Sequence, residues 1–88
     1  MSGMMGGDLA QLDGLRKTFG DQVQAVEALR GAVDGALGST QWTGPAADRF
    51  RNDWVSSFVP ALRRLQEALT ENATIVANRR DAIQTATH

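Results

Sequence analysis

Two runs of apolar residues with a spacing of seven constrain this chain of 88 residues more than any other feature. The first run consists of Leu12, Phe19, Val26 and Val33. The second run consists of Val55, Leu62, Leu69, Val76 and Ile83. Further apolar residues follow members of both runs by three positions, which is the spacing of one face of a coiled-coil helix. The pattern predicts an all-α chain.

Local signals set the bounds of two predicted helices. Asp8 suits the N-cap of the first helix, with Gln11 three residues later, and Gly38 suits its end. Pro45 suits the first turn of the second helix, where its missing N–H does no harm. We therefore expect one domain, with helices at 8–37 and 45–84.

The remaining residues connect or flank these helices. Residues 38–44 form a short turn, and helices joined by a short turn pack as an antiparallel hairpin. We expect residues 1–7 to be a flexible arm and residues 85–88 to be a frayed tail. Pro60 falls inside the second helix and removes a backbone hydrogen bond. Because the apolar spacing keeps its phase, we predict a kink near Ser56–Ser57.

Two helices form a single layer, and the apolar stripes are broader than one neighbouring helix covers. A chain this short, with no cysteine to staple it, also has difficulty burying enough surface alone. We therefore predict that the hairpin pairs with a second one in a four-helix bundle dimer. The residues expected in the core or the dimer interface are Leu12, Phe19, Val26, Val33, Phe50, Trp54, Phe58, Leu62, Leu65, Leu69 and Val76.

The turn holds a tryptophan, Trp42, two positions before Gly44. At the tip of a hairpin no third helix covers the end of the core, so an indole folded over that end would shield apolar surface. Gly44 would allow a backbone conformation that is closed to other residues. The same exposed tip is also a candidate recognition surface, and both interpretations stay open.

At these residues the chain resembles the small Trp-x-Gly (WXG) helical hairpins that are exported by type VII, or ESX-type, secretion in actinobacteria and firmicutes. The resemblance rests on Trp42-Thr43-Gly44 near mid-chain, on Phe50 and Trp54 in the following helix, and on the heptad helices on both sides. It covers nearly the whole chain.

The resemblance implies a secreted, non-enzymatic substrate or escort, some members of the family being associated with virulence. Its expected partners are a homologous hairpin and the membrane ATPase of the secretion apparatus, after assembly in the cytoplasm. In this family the turn and the partner's C-terminal segment form a composite export signal. Trp42 and Gly44 are the residues to which that role is carried over.

The chain departs from the family pattern because it has no tyrosine. The family's signal is Tyr-x-x-x-Asp/Glu, and here Ala77 stands four residues before Asp81. We expect a partner chain to supply the signal, which favours a heterodimer over a homodimer.

Other kinds of site have few suitable residues. With no cysteine and one histidine, His88, the chain lacks the usual parts of zinc sites and nucleophilic triads. We expect no cofactor, metal or catalytic residue. The arginine clusters at 49–51, 63–64 and 79–80 are expected to be solvated, with salt bridges to a partner as the alternative, and the net charge of −1 argues against nucleic acid as a partner. The alternatives to export are a cytoplasmic helical adaptor and a secreted effector that acts on membranes.

Overall fold

A computed structural model describes residues 8–86 and shows a helical hairpin. Its elements are α1 (Leu9–Ser39), α2 (Pro45–Asp53), a π-helical turn (Trp54–Phe58) and α3 (Val59–Ala86). The last three elements form one continuous arm. Contacts between the arms join Asp34 to Trp54, the Val23 carbonyl to Gln66, and Asp13 to Arg80, so the arms run antiparallel. The predicted all-α hairpin is confirmed, and the four-helix dimer stays a prediction.

The first helix begins as predicted and ends later. Oδ1 of Asp8 accepts hydrogen bonds from the backbone N–H groups of Ala10 and Gln11, at 2.8 and 3.2 Å. The expectation that Gly38 ends the helix is wrong, because α1 continues to Ser39. A glycine ends a helix well by adopting a positive φ, and among the described residues Gly44 is the one that does so.

The second arm begins at Pro45, as expected, and stays helical to Ala86, two residues beyond the predicted end. Thr85 and Ala86, which were expected in a frayed tail, are therefore helical. The predicted flexible arm at 1–7 and the rest of the tail, with His88, lie outside the described residues.

Pro60 is accommodated without a break in the second arm. The Val59 N–H bonds to the Trp54 carbonyl, five residues back, and closes a wide π turn over Trp54–Phe58. A proline in a regular α-helix would clash with the carbonyl four residues back, here that of Ser56. The π turn contains the predicted kink site, Ser56–Ser57, and lets the chain pass Pro60 as a helix.

The hairpin is a single layer of two helices, with principal extents of 63 × 18 × 15 Å. Three apolar residues of the described chain are buried: Ala47, Trp54 and Ile83. Most residues on the inner seam are only half-buried because a neighbouring helix covers them on one side. Across residues 8–86, neither arm combines the length and hydropathy required of a membrane-spanning helix.

Candidate functional site

The tip of the hairpin consists of residues 40–44, between α1 and α2. The Trp42 N–H donates to the Thr40 carbonyl at 3.0 Å, and the Asp48 N–H donates to the Gly44 carbonyl at 3.0 Å. Gly44 has φ 112° and ψ 174°, a conformation that is essentially restricted to glycine. The expected need for a glycine at this position is confirmed, since Gly44 turns the chain into the first turn of α2.

Trp42 starts a row of aromatic rings that runs from the tip along the second arm. Its ring centroid lies 6.1 Å from that of Phe50, which lies 6.2 Å from Trp54 and 6.0 Å from Phe58. These separations are typical of interacting aromatic pairs. Trp42 is 41% exposed and Trp54 is 6% exposed. Trp42 therefore covers the end of the aromatic row with part of its indole and presents the rest to solvent.

Arg51 of α2 ties the tip to the end of α1. Its guanidinium donates to the carbonyl oxygens of Trp42 at 2.6 Å, Leu37 at 3.1 Å and Thr40 at 3.3 Å. It also lies 5.8 Å from the centre of the Trp42 ring, which is within cation–π range. The expectation that Arg51 belongs to a solvated basic cluster is therefore wrong. The carbonyls at a helix end need donors, and Arg51 supplies them from the other arm.

This role of Arg51 was not predicted from the sequence, for an identifiable reason. Grouping Arg51 with Arg49 in one basic cluster ignores the helical phase, because residues two positions apart lie about 200° apart on a helix. In α1 no basic residue lies in the last turn, so the helix end lacks a local cationic partner. That lack was visible in the sequence, and it was the available signal that a cation must come from elsewhere.

A polar network joins the two arms below the tip. The Trp54 indole N–H donates to Oδ1 of Asp34 at 2.6 Å, and Arg30 donates to Oδ2 of Asp34 at 2.6 Å. Arg30 also forms an ion pair with Glu27, and the Gln66 amide donates to the Val23 carbonyl at 3.1 Å and to Glu27 at 3.5 Å. The network thus links α1 to both α3 and the π-helical turn through polar side chains.

The ion pair changes the titration of both its members. The hydrogen bond from Arg30 lowers the pKa of the Glu27 carboxyl, and the hydrogen bond from Gln66 lowers it further. The same contact with Glu27 raises the pKa of the Arg30 guanidinium. Both groups therefore keep their charge over a wider range of pH than isolated side chains.

Near the open end of the hairpin, Arg80 bonds to Asp13 with Nε 3.1 Å from Oδ1. Arg80, expected in a solvated cluster, thus bridges the two arms. Ala77, which stands where the family pattern has a tyrosine, is half-buried, and Asp81 is exposed. Within the described chain, no group of three or more His, Cys, Asp or Glu side chains is placed to hold a metal ion.

The residues expected in the core or interface fall into three groups. Trp54 is buried. The half-buried members are Leu12, Phe19, Val26, Val33, Phe50, Leu62, Leu69 and Val76. Phe58 and Leu65 are exposed, at 44% and 47%. The seam between the two arms thus accounts for the first two groups and leaves the third uncovered.

Five of the large exposed apolar residues of the described chain share one side of the hairpin, while Trp42 lies at the tip and Val55, 69% exposed, lies beside Asn52 of α2. Each residue turns a helix by about 100°, so Leu29 lies almost opposite Glu27, whose side chain belongs to the inter-arm network. By the same phase most charged residues of α1 lie on the seam or on the network side, and the ion pair of Lys17 and Asp21 lies opposite the seam. The uncovered side, here named the apolar face, consists of Leu15, Leu29, Phe58, Leu65 and Ile75, each more than two-fifths exposed.

Comparisons with known proteins add no relative to this picture, since no family model, curated protein or solved structure matches the chain.

Proposed function

We propose that this chain is a non-enzymatic pairing hairpin of the Trp-x-Gly kind, which associates with a like hairpin and presents its tip to a type VII secretion apparatus. The observation that carries the proposal is the apolar face. It supplies a binding surface along the layer, while Trp42 and Gly44 supply an ordered, half-exposed tip.

The surface area of the chain supports pairing. The chain exposes 6317 Å². A compact monomer of 9.5 kDa is expected to expose about 5,000 Å². The excess reflects the elongated shape of a two-helix layer, in which each helix is covered on one side only. An elongated layer with this excess and an uncovered apolar side is well suited to bind a second hairpin.

The side of the layer that would face the partner follows from the charges. The network of Asp34, Arg30, Glu27 and Gln66 occupies the opposite side of the seam and already joins the two arms. Burying those charges beneath a partner would cost free energy unless each was paired again. Burying the apolar face removes hydrocarbon from water and stabilises the complex. We therefore place the partner hairpin on the apolar face.

Native mass tests the pairing. Ultracentrifugation of the purified chain, alone and with a hairpin encoded beside it, should show a complex of two hairpins. Leu65→Asp, on the apolar face, should abolish the complex, while Thr70→Asp, on the exposed network side, should leave it intact. A chain that stays a monomer at high concentration and binds no second hairpin would contradict the proposal.

Export tests the tip. In a host that has a type VII apparatus, the wild-type chain should reach the medium, and Trp42→Ala should lower export much more than it lowers helix content. Equal losses of export and helix content would leave Trp42 with a packing role alone. Pairing without any export would favour the alternative function, a helical adaptor that stays in the cytoplasm.

A further inference from the structure

We infer that Arg51 is the residue that positions the Trp42 indole at the hairpin tip, an inference that rests on the proposed function for its consequence in recognition. Trp42 is 41% exposed, so packing against Phe50 covers only part of its ring. A half-exposed side chain at a turn needs further contacts to hold one orientation. The Arg51 guanidinium provides such contacts to both the backbone and the ring of Trp42.

The Arg51 guanidinium bonds to backbone carbonyls of both the turn and the end of α1. One terminal nitrogen of Arg51 donates to the Trp42 carbonyl at 2.6 Å, and the other reaches the Leu37 and Thr40 carbonyls at 3.1 and 3.3 Å. The planar fork thus bridges the end of α1 and the turn, a geometry that the compact ammonium of a lysine does not reproduce. The carbonyls at the end of α1 also carry the negative end of the helix dipole, which favours a cation there.

The ring contact follows from the same placement. With its carbon 5.8 Å from the ring centre, the guanidinium lies within cation–π distance of the Trp42 indole. Phe50 lies against the same indole with its centroid 6.1 Å away. Arg51 and Phe50, both on α2, therefore hold the indole, and α2 sets the position of a residue that precedes it in the chain.

The neighbouring Arg49 provides a matched control. It is exposed and stands two residues earlier, about 200° round α2, so it faces away from the tip. Substituting Arg49 changes the net charge by the same amount as substituting Arg51 and leaves the fork in place. An effect that is specific to Arg51 therefore reports its position and not its charge.

Nuclear magnetic resonance of the full-length chain, in the assembly in which it purifies, tests the positioning directly. The two tryptophans give two indole N–H peaks, and Trp42→Phe assigns them. Arg51→Gln and Arg51→Lys should both move the Trp42 peak toward the position of free tryptophan and leave the Trp54 peak in place. Arg49→Gln should move neither. An unchanged Trp42 peak in Arg51→Gln, or an equal shift in Arg49→Gln, would overturn the inference, as would full recovery of the peak by lysine.

A reciprocal variant keeps the test decisive if Arg51→Gln unfolds the chain and both peaks collapse. In Trp42→Ala the ring above the guanidinium is gone, so the Nε–H resonance of Arg51 should move while that of Arg49 stays. An unmoved Arg51 resonance would overturn the inference.

An export assay distinguishes a failure of the inference about Arg51 from a failure of the proposed function. Arg51→Gln should lose export to the same extent as Trp42→Ala, while Arg49→Gln should be exported like the wild type. Export that is indifferent to Trp42→Ala would defeat the proposed function, and the indole peaks would still decide the role of Arg51. Normal export of Arg51→Gln beside a failing Trp42→Ala would overturn the inference and leave the proposed function standing.

Discussion

The indole N–H of Trp54 and Oδ1 of Asp34, 20 residues apart on opposite arms of the hairpin, form a hydrogen bond of 2.6 Å. Trp54 is the one buried residue of the aromatic row, and its indole has a single donor that must find a partner. A carboxylate acceptor makes the bond charge-assisted and therefore strong. The contact joins a core side chain to the polar network on the other arm.

Removal of this acceptor should destabilise the hairpin. Asp34→Ala leaves the indole N–H of Trp54 without its partner, and we expect a loss of about 1–3 kcal/mol in the free energy of unfolding. Urea denaturation at a constant protein concentration measures it. Asp21→Ala removes the partner of Lys17 in an exposed ion pair and should cost about 1 kcal/mol or less. If Asp34→Ala lowers the free energy of unfolding by the same amount in a Trp54→Phe background, the hydrogen bond to Trp54 is not the cause of the loss.

Alanine substitutions at Gly44 and Gly38 separate the effect of backbone conformation from the effect of the space available to a side chain. A Cβ at either Gly44 or Gly38 would meet no atom within 4 Å, but only Gly44 has a positive φ. Gly44→Ala should therefore destabilise the fold by about 1–3 kcal/mol through backbone strain. Gly38→Ala lies within α1 and should stabilise it by about 0.5–1 kcal/mol. Thermal denaturation of the two variants checks the opposite signs, and a stabilising Gly44→Ala would show that the tip relaxes at no cost.

Leu69 lies on the seam and Ile75 lies on the apolar face, so alanine substitutions at the two positions test the two surfaces separately. Leu69 is half-buried between the arms, so Leu69→Ala should cost about 2–3 kcal/mol, near the lower limit for core leucines. Ile75 is 54% exposed, and in a single hairpin Ile75→Ala should cost only about 0.5 kcal/mol. If a partner covers the apolar face, the cost of Ile75→Ala should rise with protein concentration. Urea midpoints at low and high concentration measure both, and a concentration-independent Ile75→Ala would argue against pairing there.

Acidification should weaken the contact between the arms at Glu27. Its carboxyl has a lower pKa in the folded chain than the ordinary value of 4.5, mainly because Arg30 donates to it. Such a group stabilises the fold above about 4.5, and that contribution disappears as the pH falls through the lowered pKa. Urea midpoints measured from neutral pH downward should fall in this window. Glu27→Gln should make the urea midpoint less dependent on pH in this window, whereas Glu71→Gln, on the exposed surface, should not.

Much of the fold could be predicted from short-range patterns. The spacing of seven indicated two helices, Asp8 marked the first turn of α1, and Pro45 marked the start of α2, because caps and periodicity depend on neighbours a few residues away. The prediction that Gly38 ends α1 was wrong because Gly38 stays helical, and the positive φ of the described chain occurs at Gly44 instead. Pro60 does not break the second arm, as predicted, and the π turn over Trp54–Phe58 is the local conformation that accommodates it.

The sequence by itself determined the two apolar helices, the turn at Trp42–Gly44 and the excess of apolar surface over what one hairpin covers. Only the tertiary structure decided which side chains meet across the arms. Arg51 closes the end of α1, Trp54 bonds to Asp34, and Arg80 bonds to Asp13, all between residues at least 11 positions apart. A helix brings together residues three or four positions apart, whereas these pairs depend on the angle and register at which two helices pack, which no local pattern records.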